Sequence, residues 1–395
     1  MVKQSTTPRV AVLATVWFEG CHTDVIVPKI VEGWTIDGVD YTADIEIASI
    51  YLEQIGCEQG KDIGLPFIEK HGILRAGSIG EALAAGGSGV AVDGVIIIGE
   101  HGDFELNEVG QQLYPRRRFF DAAVAAMVAS GTMVPIFNDK GIGYSARDAN
   151  AMAADARRLG IGFGAGSTIP LAWRIPVAAE WPLHAPMTDA LLIGWGPLER
   201  YGFHALEGLQ AHVERRTGGE VGVTAVRALD ASHAREALEN GHIDAHLLDD
   251  AFSRLELNAQ ERAEALQSVN GVIEITYADG LRGTVVMCEE VTRQFAVACR
   301  GDSDEFSCQM WLQFAPHDHF SFLVRQIEHL MHAGAPQIPI ERTQLTTGVL
   351  DAAMRSWSSG EPIDTPELAI SYLAAGEISG TGISLERPIG WTAHG

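Results

Sequence analysis

The feature that most constrains this 395-residue chain is a regular alternation of short apolar runs and helical stretches over residues 1–168. RVAVLAT (9–15), IEIASIYL (45–52), VDGVIIIG (92–99) and MVPIFND (133–139) are β-rich and apolar, and IGFGAGST (161–168) reads as one more short strand. A continuous run such as VDGVIIIG suits a strand buried on both faces of a parallel sheet. The helices between them have readable ends. IEKHG closes one at Gly72, Ser78 opens SIGEALAAG, Gly131 ends RRFFDAAVAAMVASG, and SARDANAMAADARRLG runs from Ser145 to Gly160. Strand and helix at this spacing predict an α/β fold, a Rossmann-like doubly wound parallel sheet.

The pattern changes after Pro170. DALLIGW (189–195) is a strand, HALEGLQAHVERRTGG (204–219) an amphipathic helix, and GVIEITYADGLRGTVVMCE (271–289) a hairpin around an Asp-Gly turn. EFSCQMWLQF (305–314) and FSFLVRQIEHLMHAG (320–334) add a strand and a helix. Residues 1–168 are therefore expected to form the Rossmann-like domain. Residues 169–395 are expected to form an α+β domain with a mostly antiparallel, open sheet.

A formal net charge of −24 argues against nucleic acid or an anionic membrane as partner, since a phosphate-binding face needs clustered Lys and Arg. YPRRRFF (114–120) is the only dense basic run and reads as a surface patch at a helix start. Five scattered cysteines without a C-x-x-C pair suggest neither a zinc knuckle nor a disulfide frame. No apolar stretch approaches the ~18 residues of a membrane span, so a cytoplasmic setting is expected.

The turn after the first strand is where a dinucleotide-binding fold carries G-x-G-x-x-G. Here Ala14, Val16 and Glu19 stand at those places. A Cβ at the second position crowds the approach of a pyrophosphate, and Val16 is β-branched. The ribose-binding acid at the end of the second strand falls near Tyr51 to Glu53, with Glu53 the candidate.

In layout and in several motifs the chain resembles the glucose–fructose oxidoreductase and inositol dehydrogenase-like family. With Ala14 at the first glycine position, His22 falls on the histidine that ends the family's first loop, and VDGVIIIG matches its inner strand. FNDKGIGYSARDANAMAADARRLG (137–160) places Asp139, Lys140 and Gly141 on the Glu-Lys-Pro motif. IPLAWRIP (169–176) resembles the segment holding an Arg and a Pro. RYGFH (200–204) supplies Gly202 and His204 of Asp-x-Gly-x-His, with Arg200 in the acid's place, and 341–363 resembles the closing helix.

The resemblance implies NAD or NADP as cofactor, near Ala14, Val16, His22 and Glu53. It implies a carbohydrate-like small molecule as substrate and a homo-oligomer built on an exposed second sheet. Lys140 would hydrogen-bond the reacting hydroxyl and steady an alkoxide, with Asp139 beside it, and His204 would take the hydroxyl proton. Arg200 could pair with a substrate carboxylate or phosphate, and Tyr201 could stack on a sugar face.

GEHGDFELNE (99–108) is the most loaded stretch, at the carboxyl edge where open α/β sheets put ligands. Glu100 and His101 are candidates for substrate hydrogen bonding. With His22 and His204 they are also candidates for a divalent transition metal, because imidazole and carboxylate suit such ions. HDHF (317–320) reads as cap and surface residues. Besides hydride transfer, two alternatives stand: a non-redox lyase or hydrolase using His22, Glu100, His101 and His204, and a catalytically silent binding subunit.

Overall fold

The computed structural model describes residues 7–289, 293–302, 304–376 and 381–392. Six parallel strands form the first sheet, in the order Leu74–Ala76, Glu46–Leu52, Arg9–Ala14, Gly94–Ile98, Ile136–Asp139 and Phe163–Gly166. Sequence order reverses between Arg9–Ala14 and Gly94–Ile98, which places the ligand-binding switch point of an open α/β sheet at their carboxyl ends. Both faces are covered. Val10, Val12, Ile96 and Ile98 enter one core cluster, while Ala11, Leu13, Val95 and Ile97 enter another. This period-2 division explains why these strands read as unbroken apolar runs.

The helix signals correspond to real caps. Ser145 accepts the Asp148 N–H at 3.1 Å, and Gly160 ends Ala146–Leu159 at φ 69°. Two late helices, Phe320–Ala333 and Ile340–Ser359, also reach the first sheet. A Cβ at Gly94 would fall 2.1 Å from Met331 Sδ, so any larger residue there would have to displace the Met331 side chain.

The second sheet has eight strands, in the order Ile363–Asp364, Val223–Asp230, Val269–Tyr277, Arg282–Cys288, Asp189–Trp195, Phe295–Arg300, Glu305–Trp311 and Trp173–Ile175. Only the pairing of Asp189–Trp195 with Arg282–Cys288 is parallel, as expected of a mostly antiparallel sheet. Its inner face packs on helix Leu198–Val213. Its outer face is covered in large part by Ala231–Glu239, Ala245–Ser253 and Ala259–Gln267, which bury Leu191, Ile193, Val272 and Val286. The expected homo-oligomer thus gains no support from a bare sheet. No helix among the described residues is long and apolar enough to cross a membrane.

Candidate active site at the carboxyl ends of the parallel strands

Three strand ends and one helix start converge. Thr15 follows the first strand, donating its N–H to Ile98 O at 3.1 Å and its hydroxyl to Glu100 O. Glu100 and His101 follow Gly94–Ile98, and Asp139 and Lys140 end and follow Ile136–Asp139. His101 (φ 55°) and Lys140 (φ 65°) both have left-handed backbone. Such strain costs of order 1–3 kcal/mol per residue and collects at sites whose surroundings impose it.

His22 opens helix His22–Glu32 and ties these ends together. Its backbone N–H donates to Glu100 Oε1 at 3.0 Å, and its Nδ1 lies 2.6 Å from Asp139 Oδ2. Its Nε2 is 3.6 Å from Glu100 Oε1, and His101 Nε2 approaches the same oxygen at 3.4 Å. Lys140 forms an ion pair with Glu100. Burial opposes ionisation of Glu100, but the charges of His22, Lys140 and His101 outweigh it and hold the carboxyl well below the usual range. Burial lowers His101 to about 4, against the pull of Glu100.

His204 completes the group from the other side. Sequence reading put it at a helix start. The helix instead begins at Leu198, after Pro197, so His204 sits a turn inside it and is buried. Its ring is 6.0 Å from that of His22, and its Nδ1 is 2.7 Å from Ser167 Oγ, which also accepts the Ile169 N–H at 3.0 Å. Burial, then the charges of Lys140 and His22, push the His204 imidazole well below its ordinary value, so it is neutral. Ser167 was not singled out from sequence. A hydroxyl directly after the strand Phe163–Gly166 was the available signal.

A cavity of about 310 Å³ opens beside this cluster, lined by His22, Thr168, Tyr201, His204, His317 and His319 among others. Tyr201 stands against Trp195, ring centroids 4.2 Å apart. His319, read from sequence as a surface or cap residue, is the N-cap of helix Phe320–Ala333, but it is buried and lines this cavity. Burial and neighbouring His317 and Lys29 hold its imidazole well below the ordinary value. Lys140 and Arg200 line a narrower adjoining cleft of about 40 Å³ with Tyr114 and Glu199. Lys140 and His204 therefore border one cluster, Lys140 through Glu100 and His204 through the ring of His22.

The residues named for dinucleotide contact are placed differently. Ala14 and Val16 are sealed from solvent. Glu53 stands at the end of the second strand, as expected, with its Oε1 paired to Arg118. Its Oε2 has no hydrogen-bond partner among the described residues.

The first turn does not fit a pyrophosphate. Trp17 is 1% exposed and donates its indole N–H to Asp24 at 3.1 Å, and the other oxygen of Asp24 accepts the Gly20 N–H at 2.9 Å. Gly60 and Gly64 press on the turn so closely that a Cβ at either would lie 2.7 Å from Phe18 or Trp17. Glu100 takes the His22 N–H that a phosphate would use. The seat is filled by protein atoms and a fixed negative charge.

No protein-family model and no curated protein matches the sequence. Solved structures match in fold. GenD2 from gentamicin A biosynthesis, in complex with NAD, superposes with a TM-score of 0.58 over 91% of this chain and 97% of its own, at 16% identity. A myo-inositol dehydrogenase from Lactobacillus casei, in complex with NAD(H) and myo-inositol, gives 0.57 over 91% and 96%, at 10% identity. A myo-inositol 2-dehydrogenase from Lactobacillus plantarum gives 0.54 over 90% and 99%, also at 10% identity. The chain has the Rossmann-plus-sheet fold of these dehydrogenases. At such identities the likeness is one of fold.

Proposed function

We propose that this chain is an enzyme of oxidoreductase type acting on a sugar, polyol or related hydroxy acid. One observation carries the reading. Lys140, the His22–Asp139 pair and His204 gather around one group of strand ends beside a cavity, in a fold shared with NAD-bound dehydrogenases. The fold alone does not fix the activity, so the roles are argued from the site.

Asp139 lies against His22 Nδ1 and orients the ring, an arrangement that sets an imidazole to act as a base toward a hydroxyl proton. His204, buried and neutral, is held by Ser167 and positions a substrate oxygen. Lys140, balanced by Glu100, supplies positive charge for a developing alkoxide. Arg200 beside Lys140 favours an acidic sugar or hydroxy acid.

Two solved structures that share this fold are complexes with NAD or NAD(H), and a nicotinamide cofactor, NAD or NADP, would supply hydride acceptance here. In this chain such a dinucleotide would have to lie off the first turn, because that seat is filled. The same filled seat favours a second reading, a non-redox lyase or hydrolase in which these residues act as acid and base.

One experiment separates the two. The purified protein is titrated with NADH and NADPH by fluorescence and then assayed with NAD⁺ or NADP⁺ and a panel of polyols, sugars and sugar acids. Saturable binding and substrate-dependent dinucleotide reduction support the oxidoreductase. Turnover of a panel member without dinucleotide binding establishes the second reading. Neither binding nor turnover overturns the enzyme assignment and leaves a silent binding subunit.

A further inference from the structure

We propose that His22, Glu100 and Asp139 form a binding site for a divalent transition-metal ion at the strand ends, beside the filled first turn. One ring nitrogen of His22 and one oxygen from each carboxylate lie within 4.8 Å of one another. The three residues come from a helix start and two strand ends that the parallel sheet brings to one edge.

A second observation points to a ligand. Asp139 is 1% exposed, and while its Oδ2 meets His22, its Oδ1 has no hydrogen-bond partner among the described residues. Buried carboxylate oxygens are rarely left so, because the missing partner costs free energy. Glu100 and Asp139 are both buried carboxylates, and among the described residues the only Lys or Arg paired with either is Lys140, on Glu100; their other ionic neighbours are the histidines His22 and His101.

One imidazole and two carboxylates suit Zn²⁺ or Mn²⁺, and with the ion bound His22 is a ligand in place of the base it would be in the ion-free site. The ion would compete with Lys140 for Glu100 and release that ammonium toward the narrow cleft it already lines with Arg200. Metal binding would thereby free the lysine for substrate. A second trio, His246, Asp250 and Glu305, lies on the surface, where acidic groups need no ion, and serves as a control.

The test uses the full-length chain, stripped with a chelator. Mn²⁺ is titrated with free ion followed by electron paramagnetic resonance, and Zn²⁺ is titrated by calorimetry. One ion per chain is expected, with micromolar or tighter affinity. Asp139→Asn and His22→Gln should each weaken binding about tenfold or more, while Asp250→Asn changes nothing. Bound Zn²⁺ should also shield His22 of the unmodified chain from diethyl pyrocarbonate, read by mass spectrometry, which locates the ion without any variant. The proposal is overturned if neither ion binds saturably up to millimolar concentration. It is equally overturned if binding is indifferent to both site variants or leaves His22 unshielded. No cofactor or substrate enters these measurements, so their failure is distinct from failure of the nucleotide titration.

Discussion

The Glu100 carboxylate accepts the backbone N–H of His22 at 3.0 Å, across 78 residues of chain. The N-terminus of helix His22–Glu32 is therefore already met by a tethered anion. A helix start attracts negative charge through its free N–H groups and its dipole, and here a side chain answers it. This contact also explains why the first turn tolerates Val16 and Trp17. With the anion supplied internally, no ligand phosphate has to approach that backbone.

Glu100→Gln keeps the shape and the hydrogen bond to His22 but removes the charge. Lys140, whose side chain is 12% exposed, then loses its partner. Breaking a buried ion pair from one side costs about 3–5 kcal/mol, and partial access to water should bring the loss toward the lower figure. Urea denaturation should show a lower midpoint with an unchanged slope. An unchanged midpoint would mean that the pair contributes nothing.

The buried histidines set the acid limit. Burial holds His204, His319 and His101 below an ordinary imidazole, His101 at about 4. Between those folded values and the free value of about 6.5, the unfolded chain binds more protons than the folded one. Stability then rises with pH across this window. The stabilisation is complete above about pH 6.5 and is lost as pH falls through it. Glu100, also held low, adds a loss of the same sign below the ordinary carboxylate range. The melting temperature should fall steadily from pH 7 to pH 4, and His101→Gln should flatten the upper part of the curve. A melting temperature that stays level over that range would contradict the burial of neutral rings.

Much of the parallel sheet could be read locally. Val10 to Ala14 and Val95 to Ile98 are apolar because both faces are covered, and Ser145 and Gly160 marked their helix ends directly. That Glu100 and Lys140 follow strands and that Asp139 ends one was legible, but the pairing of Glu100 with Lys140 and of His22 with Asp139 was not. What the sequence did not disclose was tertiary. Ser167 matters because His204 lies against it, and His319 is buried because helix Phe320–Ala333 closes on the first sheet. His204 was placed at a helix start because the apolar period was taken up there, whereas the helix starts at Leu198, after Pro197, six residues earlier in the chain. The missing glycines were visible, but their replacement by a carboxylate from a distant strand was not.

Ser167→Ala removes the hydroxyl against His204 Nδ1 and leaves the Ile169 N–H without its acceptor. An unsatisfied buried donor costs about 1–3 kcal/mol. A drop of that size in denaturant stability is expected. If His204 positions substrate, Ser167→Ala should also raise KM or lower kcat beyond what Ser167→Thr does, since threonine retains the oxygen. Equal kinetics for the two variants would confine Ser167 to a structural role.

Gly60→Ala tests whether the first turn is as full as it looks. The added Cβ would fall 2.7 Å from Phe18 Cβ and Cγ, closer than real carbon atoms approach. Overpacking of this kind costs about 1–3 kcal/mol. Phe18→Gly alone should also destabilise, because it opens a void and removes the Cβ that the new methyl would strike. In the double variant the void receives the new methyl, so the combined loss should be smaller than the sum of the single losses, a coupling of about 0.5–3 kcal/mol. Thermal denaturation of the four proteins in the cycle measures it. Additive losses would show that Gly60 and Phe18 do not touch and that the turn has room. In that case the same turn would be open to a dinucleotide, and titration of Gly60→Ala with NADH should show weaker binding than the unmodified chain.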